Sequence, residues 1–303
     1  MSDGGGAGGG GGVLFERVAL IGVGLVNGSL GLAVKQRGLA RELVGCARRQ
    51  ATLDKALERG ICDRATTDPA AAVEGADLVV LGVPVGAAGA VAGAMAPGLA
   101  EEAIVTDVGS VKARVVRDVV PRLPAPSLFV PGHPVAGTEH SGPDAAFAEL
   151  FERRWCILTP IEDTDPEATK RVAELWRRVG SKVERMTPEH HDKVLAITSH
   201  LPHLIAYTIV ATADDLATVN KTEVFKYAAG GFRDFTRIAA SDPVMWRDVF
   251  LTNQDAVLEM LGRFTEDLVA LQRAIRWGDG EALEELFTRT RAIRRGVIEA
   301  GQA

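Results

Sequence analysis

Several blocks of this sequence place a histidine, serine or arginine among glycine and apolar residues. They are DVGSVK (107–112), GHPVAGTEHSG (132–142), SHLPH (199–203) and GGFRDFTR (230–237). His133 is a candidate site residue, because histidine is the side chain whose charge changes near neutral pH. Arg237, if it is buried among its glycine and apolar neighbours, requires an anionic partner. These blocks are therefore candidate parts of a functional site.

Structural roles for the same histidines compete with these chemical ones. Pro202 interrupts a helical pattern, so His200 and His203, which share one helix face, can instead bind carbonyls that a kinked helix leaves free. With His190 and His191 they form a group of four histidines. The group lacks the carboxylate and cysteine spacing of a zinc site, and no metal is expected.

A glycine-rich turn between a predicted strand and a predicted helix indicates a dinucleotide site near the N-terminus. In VALIGVGLVNGS (18–29), Gly22 permits a tight turn and Gly24 lets the backbone approach a pyrophosphate. The following helix offers that anion free N–H groups and its positive dipole end. The spacing is GxGxxxG, with Asn27 in place of the third glycine of the common fingerprint. The residues expected to bind the cofactor are Gly22, Gly24, Leu25, Val26 and Gly28.

The end of the second predicted strand bears on the choice between NAD and NADP. An acidic residue there would bind the ribose hydroxyls of NAD and repel a 2′-phosphate. The sequence has Cys46, Ala47 and Arg48 at this place, and no acid. Arg48 can pair with a 2′-phosphate, stack on the adenine or stay in solvent. Arg48 is therefore a candidate cofactor-binding residue; NADP is mildly favoured and NAD stays open.

Short apolar runs alternate with helical patterns over the first half of the chain. Strands are predicted at 18–22, 42–46, 78–83, 103–107, 128–130 and 155–158. This alternation indicates an α/β fold, a Rossmann-like doubly wound parallel sheet with helices on both faces. The DVGSVK and GHPVAGTEHSG blocks then lie at the carboxyl edge of the sheet, where such sheets bind ligands.

The pattern changes near Thr187. Three helix starts are indicated by a capping residue followed by proline, at Asp165, Thr187 and Asp242. Beyond Thr187 no strand is expected, and helical patterns run through 194–216, 244–275 and 282–298. We expect a flexible Gly-rich tail (1–13), an NAD(P)-binding domain (14–186) and an all-helical substrate and dimerisation domain (187–303). Apolar helix faces in the last domain predict a homodimer.

Composition excludes several classes of protein. The 303 residues carry a net charge of −6, from 34 basic and 40 acidic side chains, so a nucleic-acid partner is not expected. Cys46, Cys62 and Cys156 fit neither a disulfide framework nor a zinc site, which favours the cytoplasm. The uncharged stretch 78–100 is long enough to cross a bilayer, but prolines and glycines interrupt it, and no membrane span is expected.

Taken together, the blocks resemble the prephenate/arogenate (cyclohexadienyl) dehydrogenase family. The resemblance extends from about residue 15 to 300 and rests on GVGLVNGS, LGVP, DVGSVK, GHPVAGTEHSG, SHLPH and GGFRDFTRIAASDPVMW, in this order. The GHP-AGTE and FRD-TRIA blocks are the most specific. Asn27, where the family usually has glycine, and Ala47 are departures from its pattern.

This resemblance implies a dehydrogenase of tyrosine biosynthesis. The reaction would be the oxidative decarboxylation of prephenate to 4-hydroxyphenylpyruvate, or the matching reaction of arogenate, with hydride transfer to NAD or NADP. By the same resemblance, His133 accepts the hydrogen bond of the substrate hydroxyl, Ser110 orients His133 and the nicotinamide, and Arg237 binds a substrate carboxylate. His203 and His200 bind substrate. The remaining implied site residues are Glu139 and Trp246 at the entrance, and Val83, Pro84 and Ser110 at the cofactor.

Two other functions are considered beside this one. A different two-domain dehydrogenase, acting on a β-hydroxy acid, would use a lysine or histidine of the first helix after the sheet, where His191, Lys193 and His200 stand. A non-catalytic protein that senses the cofactor is the second, because fold alone does not fix function. A histidine, a serine and an arginine at the matching positions favour the enzyme.

Overall fold

A six-stranded parallel sheet forms the centre of the first part of the computed structural model, which describes residues 12–215 and 229–299. The strands lie in the order β3-β2-β1-β4-β5-β6. In chain order they are β1 (Phe15–Ile21), β2 (Ala40–Cys46), β3 (Arg64–Thr66), β4 (Leu78–Leu81), β5 (Ile104–Asp107) and β6 (Phe129–Val130). Strand β1 pairs with both β2 and β4, so the order of the strands reverses there, and sheets of this kind bind ligands at that point. The predicted α/β fold is confirmed.

Helices cover both faces of this sheet, which explains the continuous apolar run in β1. Val18 and Leu20 are buried in the core on one face, and Ala19 and Ile21 are buried in the core on the other. The helices are α1 (Leu25–Gln36), α2 (Gln50–Glu58), α3 (Pro69–Val73), α4 (Ala88–Met95), α5 (Lys112–Val119) and α6 (Pro166–Arg178).

A second, three-stranded sheet follows the first. It consists of β7 (Gly132–Pro134), β8 (Trp155–Leu158) and β9 (Lys182–Arg185), with β8 antiparallel to β7 and parallel to β9. The sequence predicts β8 but misses β7 and β9, and it also misses β3. Strand β7 contains no apolar run, and the residues of β9 are mostly exposed, so the apolar patterns that predict strands are lacking.

Within the described residues, only helices and turns follow Thr187. They are α7 (Pro188–Leu195), a π-helical turn (Ala196–His200), α8 (Leu201–Asp215), α9 (Gly230–Thr236), α10 (Pro243–Thr252), α11 (Gln254–Trp277) and α12 (Gly280–Glu299). The three predicted helix starts are confirmed, because the side chains of Asp165, Thr187 and Asp242 each accept a hydrogen bond from a backbone N–H of the first turn.

The single helix predicted over 244–275 is wrong, because the chain breaks between α10 and α11 at Asn253. The buried Asn253 side chain donates to the carbonyl of Asp192 at 2.9 Å, a long-range bond that no local pattern indicates. The predicted helix end at 216 and most of the predicted tail at 1–13 lie outside the described residues.

One helical stretch, Pro188–Asp215, is long and apolar enough to cross a membrane when judged by length and composition alone. A core helix of a soluble protein passes the same test. This stretch is divided by the π-helical turn and buries the polar side chains of His191, Asp192 and His200, which form hydrogen bonds with His133, Lys112 and Asn253. The uncharged segment at 78–100 forms β4, α4 and short turns of the fold around the sheet.

The chain forms two compact units, one ending at Gln254 and one beginning at Asp255. The first contains both sheets and every residue named above as a site candidate. The second consists of α11 from Asp255 onward and α12. The predicted domain boundary at 186/187 stays a prediction.

Candidate active site

The turn after β1 brings the backbone against the end of β4. Gly22 has a φ of +89°, and a Cβ at this residue would lie 2.5 Å from the carbonyl oxygen of Gly82. Gly24 directly precedes α1, where no side chain caps the helix, and a Cβ on Gly24 would meet nothing within 4 Å. The start of α1 therefore has room and uncapped N–H groups for an anion, so these residues fit the pyrophosphate of a dinucleotide.

Asn27, the departure from the glycine fingerprint, joins β1 to β4. Its buried Nδ2 donates to the carbonyls of Ile21 at 3.3 Å and Val80 at 3.0 Å. The side chain fits because residue 82 is glycine, where a Cβ would lie 2.4 Å from Nδ2 of Asn27. The third glycine of the common fingerprint allows close packing of helix and strand, and here an amide bridges the strands instead.

The other predicted cofactor residues lie along the same edge of the sheet. Leu25 and Val26 form the first turn of α1, and Val83 and Pro84 follow β4, next to Gly22. Arg48 is exposed in the turn after β2, beside the end of β1, and has no ion pair within the described part of the chain. Gly28 faces Ala146. A Cβ on Gly28 would lie 2.9 Å from the Cβ of Ala146. The contacts of these residues with a cofactor stay a prediction.

A buried ion pair fixes the loop between β5 and α5. Lys112 is fully buried, and its Nζ donates to the carboxylate of Asp107 and, at 2.6 Å, to the carbonyl of Gly132. The same carboxylate accepts the backbone N–H of Gly109 at 2.8 Å and that of Gly132 at 3.1 Å. Asp107 and Lys112 therefore join the end of β5 to the start of β7, directly beside His133.

His133 lies on β7 and is connected to two polar residues of α7. Its Nδ1 is 2.8 Å from Nε2 of His191, and Nδ1 of His191 is 2.8 Å from Oδ1 of Asp192. All three side chains are buried. Burial, and then the neighbouring His191 and Lys112, lower the pKa of His133 well below its usual value. His133 is therefore neutral near pH 7, as a proton acceptor must be.

His200 and His203 both contact Trp246 of α10. The ring of His203 is stacked on the indole with centroids 3.6 Å apart, and the ring of His200 meets it edge-on at 6.0 Å. Nδ1 of His203 donates to the carbonyl of Ser199 at 2.9 Å, so the structural role considered for a histidine near Pro202 applies to this atom. Nε2 of His200 is buried and has no hydrogen-bond partner in the described part of the chain. This free nitrogen fits the predicted role of His200 in holding substrate.

Arg237 forms an ion pair with Glu139, with 2.7 Å between guanidinium nitrogen and carboxylate oxygen. Burial, the Ser199 carbonyl and the charge of Arg237 together shift the pKa of His203, with a net lowering. Arg237 is exposed, so the burial considered for it from the sequence does not apply. Its charge acts on His203, and it can exchange Glu139 for another carboxylate.

Ser110 lies half-buried between β5 and α5, and among the described residues no hydrogen bond joins it to His133. Its predicted orienting role stays a prediction.

The sequence analysis missed a buried polar network behind His133. Its members are Asp107, Lys112, His191, Asp192 and Asn253. One signal for two of them was available, because Asp107 and Lys112 stand in the DVGSVK block itself. His191 was considered only in the group of four histidines and as a catalytic residue of a different dehydrogenase. No local pattern connects it, Asp192 or Asn253 to His133, since their partners are distant in the sequence and meet them only in the folded chain.

Two models of known protein families match this chain. The family model described as prephenate dehydrogenase, nucleotide-binding domain, matches residues 30–185, and that described as prephenate dehydrogenase, dimerization domain, matches residues 187–289. The cyclohexadienyl dehydrogenase of Zymomonas mobilis is 42% identical over 281 residues, which cover 93% of this chain and 96% of that protein.

Two solved structures extend the likeness to the fold. Prephenate dehydrogenase from Aquifex aeolicus, in complex with hydroxyphenyl propionate and NAD+, has a TM-score of 0.85 at 38% identity, covering 93% of this chain and 98% of that one. Synechocystis arogenate dehydrogenase has a TM-score of 0.76 at 30% identity, covering 92% of this chain and 99% of that one. The chain therefore belongs to the prephenate dehydrogenase family.

Proposed function

We propose that this protein oxidatively decarboxylates prephenate or arogenate in tyrosine biosynthesis, with His133 as the proton acceptor and NAD or NADP as the hydride acceptor. The observation that carries the proposal is the buried His133, hydrogen-bonded to His191, at the carboxyl edge of a sheet whose first turn fits a dinucleotide. Family membership and the NAD+ complex of the Aquifex relative support the same reaction.

The residues divide the work of this reaction by their chemistry. His133 takes the hydroxyl proton of the substrate on its Nε2, because its Nδ1 is already bound to His191. Arg237 binds a substrate carboxylate in place of Glu139, and the stacked His203 and Trp246 form an apolar wall beside it. A dinucleotide held at Gly22, Gly24 and the start of α1 would supply the nicotinamide that takes the hydride from the carbinol carbon. Loss of carbon dioxide then leaves an aromatic ring, which makes the overall reaction strongly downhill.

The test is the absorbance of reduced nicotinamide with the purified full chain in four mixtures: prephenate or arogenate, each with NAD or NADP. Turnover in at least one mixture is expected, and the ratios of kcat/KM identify the substrate and the cofactor together. Absence of turnover in all four, from a folded chain that binds cofactor, would contradict the proposal and favour another dehydrogenase or a cofactor sensor.

A substitution of Arg48 tests the choice between NAD and NADP. Arg48 is exposed at the end of β2 and no acid stands in that turn, so its guanidinium is available to a 2′-phosphate. If it binds this group, Arg48→Ala raises KM for NADP and leaves KM for NAD nearly unchanged. Arg49→Ala, one residue along the same exposed turn, is the matched control.

We also propose a homodimer that acts in the cytoplasm. Residues 187–289 match the family's dimerization domain, and α11 and α12 carry exposed large apolar side chains, namely Leu258, Leu268, Val269, Ile275, Trp277, Phe287 and Ile293. The three cysteines are free and buried, as suits a reducing compartment. Light scattering of the full chain is expected to give twice the chain mass of 32.1 kDa, and a monomer at micromolar concentration would contradict the dimer.

A further inference from the structure

We propose that His191 and Asp192 act as positioning residues which hold His133 in the tautomer that accepts the substrate proton. This inference rests on the role proposed above for His133. The carrying observation is an uninterrupted chain of buried contacts, in which two bonds of 2.8 Å connect His133 through His191 to Asp192.

The far end of this chain is an anchored acceptor. Oδ1 of Asp192 accepts the backbone N–H of Lys112 at 2.7 Å, and Oδ2 accepts that of Ala113 at 2.9 Å. These are the first N–H groups of α5. Burial raises the pKa of Asp192, and the two N–H groups and the charge of Lys112 act against that rise, because each favours the ionised carboxylate. Asn253 also donates to the backbone carbonyl of Asp192 at 2.9 Å, which connects α7 to the end of α10. Asp192 is thus fixed at both its side chain and its backbone.

The direction of each hydrogen bond follows from this anchor. An ionised Asp192 only accepts, so Nδ1 of His191 carries a hydrogen and donates it. Burial lowers the pKa of His191 to about 2, so the ring is neutral and its Nε2 has no hydrogen. That nitrogen accepts, and Nδ1 of His133 must donate to it. The Nε2 of His133 is then left with its lone pair, which is the atom that receives the substrate proton.

The same arrangement stabilises the charge that forms when His133 takes up this proton. The hydroxyl O–H bond of the substrate breaks and an N–H bond forms at Nε2, so the ring of His133 becomes positive. Burial disfavours this charge, and so do three neighbouring groups, the rings of His191 and His200 and the ammonium of Lys112. The Asp192 carboxylate, reached through the polarised ring of His191, opposes them, as the carboxylate does in a Ser-His-Asp triad.

A purely structural role for His191 and Asp192 makes a different prediction, and two substitutions of His191 separate the two. In His191→Gln the amide oxygen can still accept from Nδ1 of His133, whereas His191→Leu removes the acceptor. We expect kcat to fall by about 10²–10⁴-fold in the leucine variant and by about tenfold or less in the glutamine variant. KM for the cofactor stays unchanged in both. His190→Gln, at the exposed neighbouring residue of α7, is the matched control.

Asp192→Asn is designed to reverse the direction of the hydrogen bonds through His191 to His133 while keeping a side chain of nearly the same shape. With its NH2 group towards His191, the amide keeps its oxygen on the N–H of Ala113, leaves the N–H of Lys112 without its acceptor and donates to Nδ1 of His191. The hydrogen of His191 then moves to Nε2 and that of His133 to its own Nε2, where it blocks proton uptake. We expect kcat to fall by about 10³–10⁴-fold, as for the wrong tautomer of a triad histidine. Equal losses of kcat in the leucine and glutamine variants of His191, or normal turnover in Asp192→Asn, would overturn the proposal.

Nitrogen-15 NMR of the histidine-labelled wild-type chain without substrate tests the tautomer directly, and His133→Asn assigns the signal. We expect a protonated Nδ1 and a bare Nε2 in His133, and the reverse in Asp192→Asn. A protonated Nε2 on His133 of the wild-type protein would overturn the proposal that His191 and Asp192 hold its tautomer. This measurement needs no turnover, so its result is independent of the four-mixture assay. A protein with the expected tautomer and no activity would contradict the proposed function, but not the role of His191 and Asp192 in holding that tautomer.

Discussion

The turn at Gly22 and the cluster around His133 both lie at the carboxyl edge of the parallel strands, yet they are built from different parts of the chain. The turn uses backbone: glycines that permit a φ of +89° and an open helix start, all within eight residues of one another. The cluster uses side chains from β5, α5, β7, α7 and the residue after α10, separated by up to 146 residues between Asp107 and Asn253. The two regions therefore depend on the fold to different degrees.

This difference follows from what each region must do. A pyrophosphate is bound by N–H groups that every helix start provides, so the protein only has to leave space for it. A proton acceptor must be neutral, oriented and buried, and each condition requires a partner from elsewhere in the structure. Changes in the turn should therefore affect cofactor binding, and changes in the cluster should affect turnover and stability.

Removal of the proposed proton acceptor in His133→Asn should cause a large loss of turnover. Asparagine keeps polarity and approximate size but cannot take up the proton, so kcat should fall by about 10²–10⁴-fold. Cofactor affinity should stay unchanged, because His133 belongs to the cluster. Steady-state kinetics and fluorescence titration with cofactor measure the two quantities, with His140→Asn as an exposed control. Unchanged kcat would show that another group accepts the proton.

Lys112→Met should give the largest loss of stability. The substitution leaves the buried carboxylate of Asp107 without its cation, and breaking a buried pair in this way costs about 3–5 kcal/mol of unfolding free energy. Chemical denaturation monitored by circular dichroism measures the loss. Lys170→Met removes a lysine whose pairing with Glu167 is solvent-exposed and should leave the unfolding free energy nearly unchanged. Similar small losses in both variants would show that the Asp107 pair does not support the cluster.

Acid should weaken the fold through the buried histidines. Burial lowers the pKa of His200 to about 4 and of His191 to about 2, while in the unfolded chain both titrate near the ordinary value of 6.5. Below pH 6.5 the unfolded chain binds protons that the folded chain does not bind. The contribution of these histidines to the unfolding free energy is therefore fully present above pH 6.5. It is lost as the pH falls toward 4 for His200 and toward 2 for His191.

The unfolding free energy should fall by up to about 1.4 kcal/mol per pH unit for each such buried histidine. Urea unfolding between pH 7 and 4.5 measures it. His200→Asn should reduce the slope and His190→Asn, at an exposed position, should not. A pH-independent unfolding free energy over this range would contradict the burial of the cluster.

The smallest effects belong to the turn, where two glycines should respond differently. Gly24→Ala places its Cβ in open space, so the unfolding free energy should hardly change, while cofactor affinity drops on the order of tenfold because the pyrophosphate needs that space. Gly22→Ala should also lower stability, by about 1–3 kcal/mol, because φ is +89° and Gly82 lies in the way. Cofactor titration and thermal unfolding of both variants check this. Equal cofactor affinity in Gly24→Ala and wild type would place the pyrophosphate elsewhere.

Much of the fold was predictable because it follows from local patterns. The apolar run of β1, the turn at Gly22 and the proline-containing helix starts each depend on neighbouring residues, and each is confirmed. The short strand β7 was not predictable, since it is defined by its pairing with β8 and not by its composition. The break at Asn253 was missed for the same reason, because a distant carbonyl at Asp192 decides it.

The sequence by itself determined the chemistry at hand: a dinucleotide turn, and His133, His200, His203 and Arg237 in blocks that resemble one enzyme family. Residue types and short spacings carry that information, because the groups that bind or react must be of a given kind. Only the tertiary structure decided which nitrogen of His133 is free and what holds the other. That choice depends on His191 and Asp192, which lie 58 or more residues away and meet His133 only when α7 packs beside β7. Hydrogen-bond direction is set by geometry and burial, and neither is written in the order of the residues.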